Sequence, residues 1–269
     1  MRSKVTGTAT LATHTQRPNV ALPFSSARLA MTITRRVTIH EGPGGTFESM
    51  AVFDKYAGAP RPGILLFPNA LGTKEADFVY AEKVVELGYT LLVADIYGQG
   101  KRASRDDPDM GRYMNEVNAD RALLRDRLNA AHSVLKSLPE ADASRTAAIG
   151  FCFGGKCVLD LARSGADVAG GVSFHGIYDA PPFPNAAISA KLLVCHGWDD
   201  PLAPPAATVA LADELTKAGC DWQIHAYGNT GHAFTDHAVN MPEKGLAYSP
   251  DADRRSFRSM RDFLADLFN

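Results

Sequence analysis

Eight short runs of apolar and β-branched residues punctuate the chain: Arg36–His40, Ser49–Lys55, Gly63–Pro68, Thr90–Ile96, Thr146–Phe151, Gly171–Phe174, Leu192–Cys195 and Trp222–Tyr227. Short continuous apolar runs suit strands buried on both faces. Between them, apolar residues recur every three or four positions. Phe78, Ala81 and Val85 predict a helix stopped by Gly88. Val117, Leu124, Leu128, Ala131 and Leu135 predict one long helix closed by Pro139. Ala207, Leu211, Leu215 and Ala218 predict another, ended by Gly219, and Phe257, Met260, Leu264 and Leu267 a last one. Strand and helix alternate from about residue 63 onward. The pattern predicts an α/β fold, with a mostly parallel sheet of about eight strands covered by helices on both faces. The first two runs have no helix between them and meet near Gly42–Gly45, which predicts an antiparallel addition at the sheet edge. No repeat or linker interrupts the chain after residue 34, so residues 34–269 read as a single domain.

Composition changes this picture only at the N-terminus. No Asp or Glu precedes Glu41, and Arg2, Lys4, Arg17 and Arg28 are spread among Ser and Thr. Residues 1–33 therefore read as a disordered extension; an organelle transit peptide is the alternative. Elsewhere, 45% hydrophobic and 22% charged residues are ordinary for a globular protein and exclude a fibre. A net charge of -2 gives no pull toward nucleic acid or an anionic membrane. No apolar run approaches the roughly 18 residues of a membrane span. The four cysteines form no Cys-x-x-Cys pair, and no His, Asp and Cys set has a metal-ligand spacing. The expectation is a cytoplasmic protein without cofactor or metal, monomer or homodimer, whose partner is a small molecule.

The chemistry lies at Gly150-Phe151-Cys152-Phe153-Gly154-Gly155, between a strand and a helical run. A nucleophile on such a turn takes a strained backbone, and glycines two residues either side avoid clashes. The helix N-terminus favours a thiolate. A free cysteine is often only a small core residue; the glycines and the strand–turn–helix context set Cys152 apart. Cys157, Cys195 and Cys220 read as core. An acid and then a histidine should follow along the chain, the α/β-hydrolase order. One loop offers Asp199 and Asp200 after the strand Leu192–Cys195, and the other offers His232 after Trp222–Tyr227. Both open at the carboxyl edge of the sheet, where open α/β folds bind ligands. His232 would take the thiol proton and later activate water, and one of the two carboxylates would hold its tautomer. His175 and His196 end strands near the same edge and are candidates for the pocket wall. An oxyanion hole needs two backbone N–H groups, expected from Phe153 and from Ala70 in the loop after Gly63–Pro68.

The chain resembles the dienelactone hydrolase family from Met31 to its end. The likeness rests on Leu66-Phe67-Pro68-Asn69-Ala70-Leu71-Gly72, Ala94-Asp95-Ile96-Tyr97-Gly98, the cysteine turn, Asp200-Pro201-Leu202-Ala203-Pro204 and Gly231-His232-Ala233-Phe234. It implies an α/β-hydrolase fold with a Cys152–His232–Asp200 triad that cuts small esters or lactones through a thioester. It favours Asp200 over Asp199, and it supports Ala70 and Phe153 as the oxyanion donors. Two positions depart from the family. Asn69 stands where the namesake enzymes carry a glutamate that helps activate the cysteine. Asp236 stands where they carry an arginine that grips the substrate carboxylate, and an acid there would repel an anionic dienelactone. Arg112, from the loop before the long helix, is a candidate substitute cation, and Tyr97, Tyr113 and Trp198 are candidate pocket walls. A thioesterase or acyltransferase would use the same residues. A non-catalytic binding protein and a redox-sensing Cys152 thiol are the readings from other classes.

Overall fold

The computed structural model describes residues 31–269. The expected N-terminal extension lies outside the described residues except for 31–33, as does the transit-peptide reading. The described chain begins with the strands β1 (Ile33–Gly42) and β2 (Gly45–Asp54), joined by a hairpin whose closing pair is Gly42 and Gly45. Then follow β3 (Arg61–Phe67), α1 (Glu75–Val85), β4 (Thr90–Val93), α2 (Arg112–Ala119), α3 (Arg121–Ser137), β5 (Ala141–Phe151) and α4 (Phe153–Arg163). The second half runs β6 (Gly170–Phe174), β7 (Lys191–Gly197), α5 (Pro205–Lys217), β8 (Trp222–Tyr227), a small hairpin of β9 (Asn240–Met241) and β10 (Leu246–Ala247), and α6 (Pro250–Phe268).

The main sheet has eight strands in the order β1-β2-β4-β3-β5-β6-β7-β8. Pairing is antiparallel at β1/β2 and β2/β4 and parallel everywhere else, so β2 alone runs against the rest. This is the α/β-hydrolase fold, with the hairpin at one edge.

The strand period of two explains why the central runs are apolar throughout. In β3, Leu65 and Phe67 pack into the core shared with α3, α4 and α5. Ile64 and Leu66 pack into the opposite core with α1 and α6. All four are fully buried, each worth roughly 1.5–3 kcal/mol relative to exposure.

Two features depart from the periodicity. The stripe from Val117 to Leu135 is carried by two helices, not one. Asp120 leaves helical geometry (φ −119°, ψ 85°), and its Oδ1 accepts the Leu123 N–H at 2.9 Å. A short carboxylate competes for backbone N–H groups and makes a helix start of what would be a helix interior. Between β6 and β7 the chain runs as an irregular segment without a helix. Two of its carbonyls accept from buried cations: Arg163 donates to Tyr178 O at 3.1 Å and Arg121 to Asp179 O at 3.2 Å. Among the described residues no helix is long and apolar enough to cross a membrane.

Candidate active site

Three chain segments meet at the carboxyl edge of the sheet: the turn after β5, the loop after β7 and the loop after β8. At the first, Cys152 sits between β5 and α4 with φ 55° and ψ −115°. This is a left-handed region that costs a non-glycine residue about 1–3 kcal/mol. The strain is held in place from both sides. The Cys152 N–H is shared between Phe174 O at 3.0 Å and His175 Nδ1 at 3.2 Å, and its carbonyl accepts the Lys156 N–H at 3.2 Å. The flanking glycines are required by close approach. A Cβ on Gly150 would lie 2.1 Å from Gly154 O, and one on Gly154 would lie 2.1 Å from Phe67 O. Behind the turn, α4 is anchored by Lys156, Asp160 and Arg163, spaced along one helix face. Their buried charges pair with Asp179, Arg121 and Glu214.

His232 reaches the same place from the loop after β8. Its backbone is clamped by the β9–β10 hairpin: His232 N donates to Gly245 O at 2.8 Å, and Ala247 N donates to His232 O at 3.2 Å. Of the two candidate carboxylates, Asp200 is buried and faces the histidine, and Asp199 is exposed. Asp200 Oδ2 lies 2.7 Å from His232 Nδ1, and its Oδ1 accepts the Leu202 N–H at 2.8 Å. Both carboxylate oxygens are therefore committed. Nδ1 carries the proton, and the buried Nε2 is left without a conventional hydrogen-bond partner.

The Cys152 thiol and the His232 ring act on each other electrostatically. Burial pushes the Cys152 thiol up, but the positive charge and ring N–H of His232, with the N–H groups of Phe153 and Ala70, outweigh it and carry it below the usual thiol value. Burial pulls His232 down, but the Cys152 charge and the bond to Asp200 carry it well above the usual imidazole value. Each partner thus favours the charged form of the other, the condition for a thiolate–imidazolium pair. Neither the Ala70 nor the Phe153 N–H has a backbone carbonyl partner among the described residues. The Ala70 peptide is oriented from behind by Tyr97, whose hydroxyl donates to Ala70 O at 3.1 Å.

The remaining expected residues divide. His175 is buried, with its ring edge-on to His232 at 5.0 Å. His196 is buried between the Tyr178 hydroxyl and Thr208 Oγ1, each at 3.0 Å; both ring nitrogens are occupied, so it packs rather than lines the pocket. Trp198 is exposed, with its edge toward His196. Tyr113 lies beside Tyr97 at 6.0 Å. Arg112 is not the compensating cation: it points to Asp107 at 3.7 Å on the surface and lies over the Tyr113 ring. The cation that meets Asp236 is Arg105, 131 residues away in sequence. Asn69 Nδ2 donates to the same Asp236 Oδ2 at 3.4 Å, and Asn69 Oδ1 accepts from Leu71 N at 3.1 Å and Lys74 Nζ at 3.3 Å. Lys74, Asn69, Asp236 and Arg105 form one polar chain beside the Ala70 loop. Sequence reasoning missed Lys74, Arg105 and the β9–β10 clamp. For Arg105 no local signal exists; for the clamp, Gly245 directly after the polar Pro242-Glu243-Lys244 is the available sign of a turn. Among the described residues, no three His, Cys, Asp or Glu side chains converge as metal ligands would.

Comparison with known proteins agrees on one grouping. The profile of the dienelactone hydrolase family matches residues 47–268. Among solved structures, m3DLH is 37% identical with a TM-score of 0.82, covering 88% of this chain and 99% of that one. A dienelactone hydrolase-like promiscuous phosphotriesterase from metagenomic libraries is 35% identical, with the same TM-score and coverage. The uncharacterized protein K02A2.1 of Caenorhabditis elegans is 33% identical over 153 residues, which span 54% of this chain and 94% of the nematode protein.

Proposed function

The chain belongs to the dienelactone hydrolase family, and on that premise we propose that it hydrolyses small, uncharged carboxylic esters or lactones through an acyl-cysteine on Cys152. The observation that carries this reading is the polar line from Asp200 through His232 toward the Cys152 thiol, with the Phe153 and Ala70 N–H groups, neither bonded to a backbone carbonyl, turned to the same thiol. The thiolate attacks the carbonyl carbon, and the carbonyl π electrons move to oxygen. The Ala70 and Phe153 N–H groups receive that oxyanion. Collapse breaks the C–O bond, and the departing alkoxide takes the proton from His232 Nε2. In a lactone the alkoxide stays tethered to the acyl group. Neutral His232 then removes a proton from water, and the hydroxide attacks the thioester. Cys152 leaves as thiolate beside the re-formed imidazolium, so the resting ion pair returns.

The charge balance around Asn69 supports an uncharged substrate. Asp236 is neutralised by Arg105, and Lys74 pairs with Asp77 at 2.9 Å. No cation is left over in that chain to grip a substrate carboxylate, and no bare carboxylate remains to repel other groups. The test is incubation with p-nitrophenyl acetate followed by mass spectrometry of the quenched protein. An acetyl group on the Cys152 peptide during turnover is expected; turnover with the label elsewhere, or none, overturns the reading. A phosphotriester of p-nitrophenol, the class in the name of the metagenomic relative, belongs in the same assay.

Two further outcomes follow. The ion pair exists between the lowered thiol value and the raised imidazole value. Activity should therefore fall on the acid side as Cys152 takes a proton, and on the alkaline side as His232 loses one. A kcat/KM profile against pH will trace this window, and its alkaline limb should fall near the raised His232 value of about 10. Asp200→Asn should lower kcat by about 10³–10⁴-fold by imposing the wrong His232 tautomer. Asp199→Asn, altering an exposed carboxylate, should leave kcat within about twofold.

A further inference from the structure

His175 touches both halves of the proposed machinery without belonging to the triad. Its Nδ1 lies 3.2 Å from the Cys152 backbone N, and its Nε2 lies 2.8 Å from Thr235 Oγ1. An amide N–H can only donate, so Nδ1 must be the unprotonated nitrogen and Nε2 the one that carries hydrogen. The ring therefore spans from the strained turn that holds the nucleophile to the loop that holds the base, three residues beyond His232. Its own backbone is strained to hold this place, with φ 37° at a non-glycine residue. The His175 N–H is tied to Cys195 O at 2.8 Å, and the ring is sandwiched edge-on by His232 and Phe234, each at 5.0 Å. Burial, and then the His232 charge, hold His175 well below the usual imidazole value, so it stays neutral beside the His232 imidazolium.

We propose that His175 is a positioning residue, a neutral strut between the Cys152 amide and Thr235 that sets the separation of Cys152 Sγ from His232 Nε2. The inference rests on the triad reading above. A neutral imidazole with opposed acceptor and donor meets three requirements together: it accepts one amide hydrogen, donates one hydrogen, and adds no charge beside the imidazolium. The His232–Cys152 interaction holds the thiolate only at short range, so a small shift of either loop lowers the ionised fraction of the thiol.

The test measures the pH dependence of Cys152 alkylation by iodoacetamide, which reads thiolate directly and needs no turnover. It is followed by kcat and KM for p-nitrophenyl acetate. His175→Asn should raise the apparent thiol pKa and lower kcat by about tenfold or more, with KM little changed. Thr235→Val, which removes the far end of the strut and leaves the Cys152 amide bonded, should move both readouts in the same direction by less. The double variant should be no worse than His175→Asn alone, because both changes cut one connection. Should His175→Asn fail to fold, Thr235→Val carries the test. An unchanged alkylation profile in the folded variants, with only the melting temperature lowered, overturns the proposal and leaves His175 a packing residue. Because alkylation is read apart from hydrolysis, a protein with normal His175 effects on the thiol but no esterase activity would count against the hydrolase reading instead.

Discussion

Cys152→Ala is expected to lower kcat/KM for p-nitrophenyl acetate by about 10⁴-fold or more while leaving the protein folded. Losing the nucleophile of a concerted triad costs nearly as much as losing the whole triad. What survives is the contribution of the oxyanion donors and substrate binding, since Ala70 and Phe153 keep their N–H groups. The fold should tolerate the change, because the Cys152 contacts that matter structurally are made by its backbone to Phe174, His175 and Lys156. A second replacement separates chemistry from strain. Cys152→Gly removes the thiol equally, but glycine adopts φ 55° without a steric cost. It should be as inactive as the alanine variant yet more stable, by about 1 kcal/mol. Urea denaturation of the two variants side by side checks this; an alanine variant as stable as the glycine one would mean the turn is not strained. Retained activity in both would move the nucleophile elsewhere.

Gly154→Ala should be among the most damaging single methyls in the molecule. Its Cβ would sit 2.1 Å from Phe67 O and 2.5 Å from Pro68 O. Both are backbone atoms at the end of a central strand, so no flexible side chain can turn aside. Relief requires α4 to move away from β3. That movement opens the core where Phe153 packs, and it separates the Cys152 turn from the Asn69–Ala70 loop that follows β3. Stability should fall by about 3 kcal/mol or more, and the soluble fraction should show little alkylation of Cys152 at neutral pH. Gly228→Ala is the control: nothing lies within 4 Å of its added Cβ and its φ is not in the left-handed region. Stability there should hold or rise slightly, by a few tenths of a kcal/mol. Equal thermal melting of Gly154→Ala and Gly228→Ala would refute the close-approach account.

The electrostatic chain beside the site shows how distant residues share one duty. The family resemblance implies an acid at position 69 and a base at position 236, where this chain carries Asn69 and Asp236. Read singly, each substitution looks like a loss. In the folded protein they face each other at 3.4 Å, and Arg105 closes the charge balance. The Asp236–Arg105 pair is partly exposed, so its worth in stability is small. On the proposed hydrolase reading its consequence is for selectivity: the arginine that meets this acid is engaged by the protein itself, which would leave a balanced site for an uncharged ester.

Local sequence determined which segments are strands and helices. It did so wherever one physical rule acts alone. Ile64–Phe67 must be apolar at every position because both sheet faces are covered, and Leu124, Leu128 and Leu135 must recur at helical spacing because one face is buried. The tight glycine pattern around Cys152 was legible for the same reason, since the backbones meet within a few residues of one another. Where two local rules competed, as at Asp120, periodicity joined what a capping side chain divides. Tertiary structure alone decided that β4 inserts between β2 and β3. It also decided that a small hairpin near residue 245 clamps His232, and that Arg105 meets Asp236. These depend on contacts between residues tens to more than a hundred positions apart. Their energy comes from the folded arrangement of burial and charge, and a sequence window carries no trace of such pairings because neither partner's local preferences depend on the other.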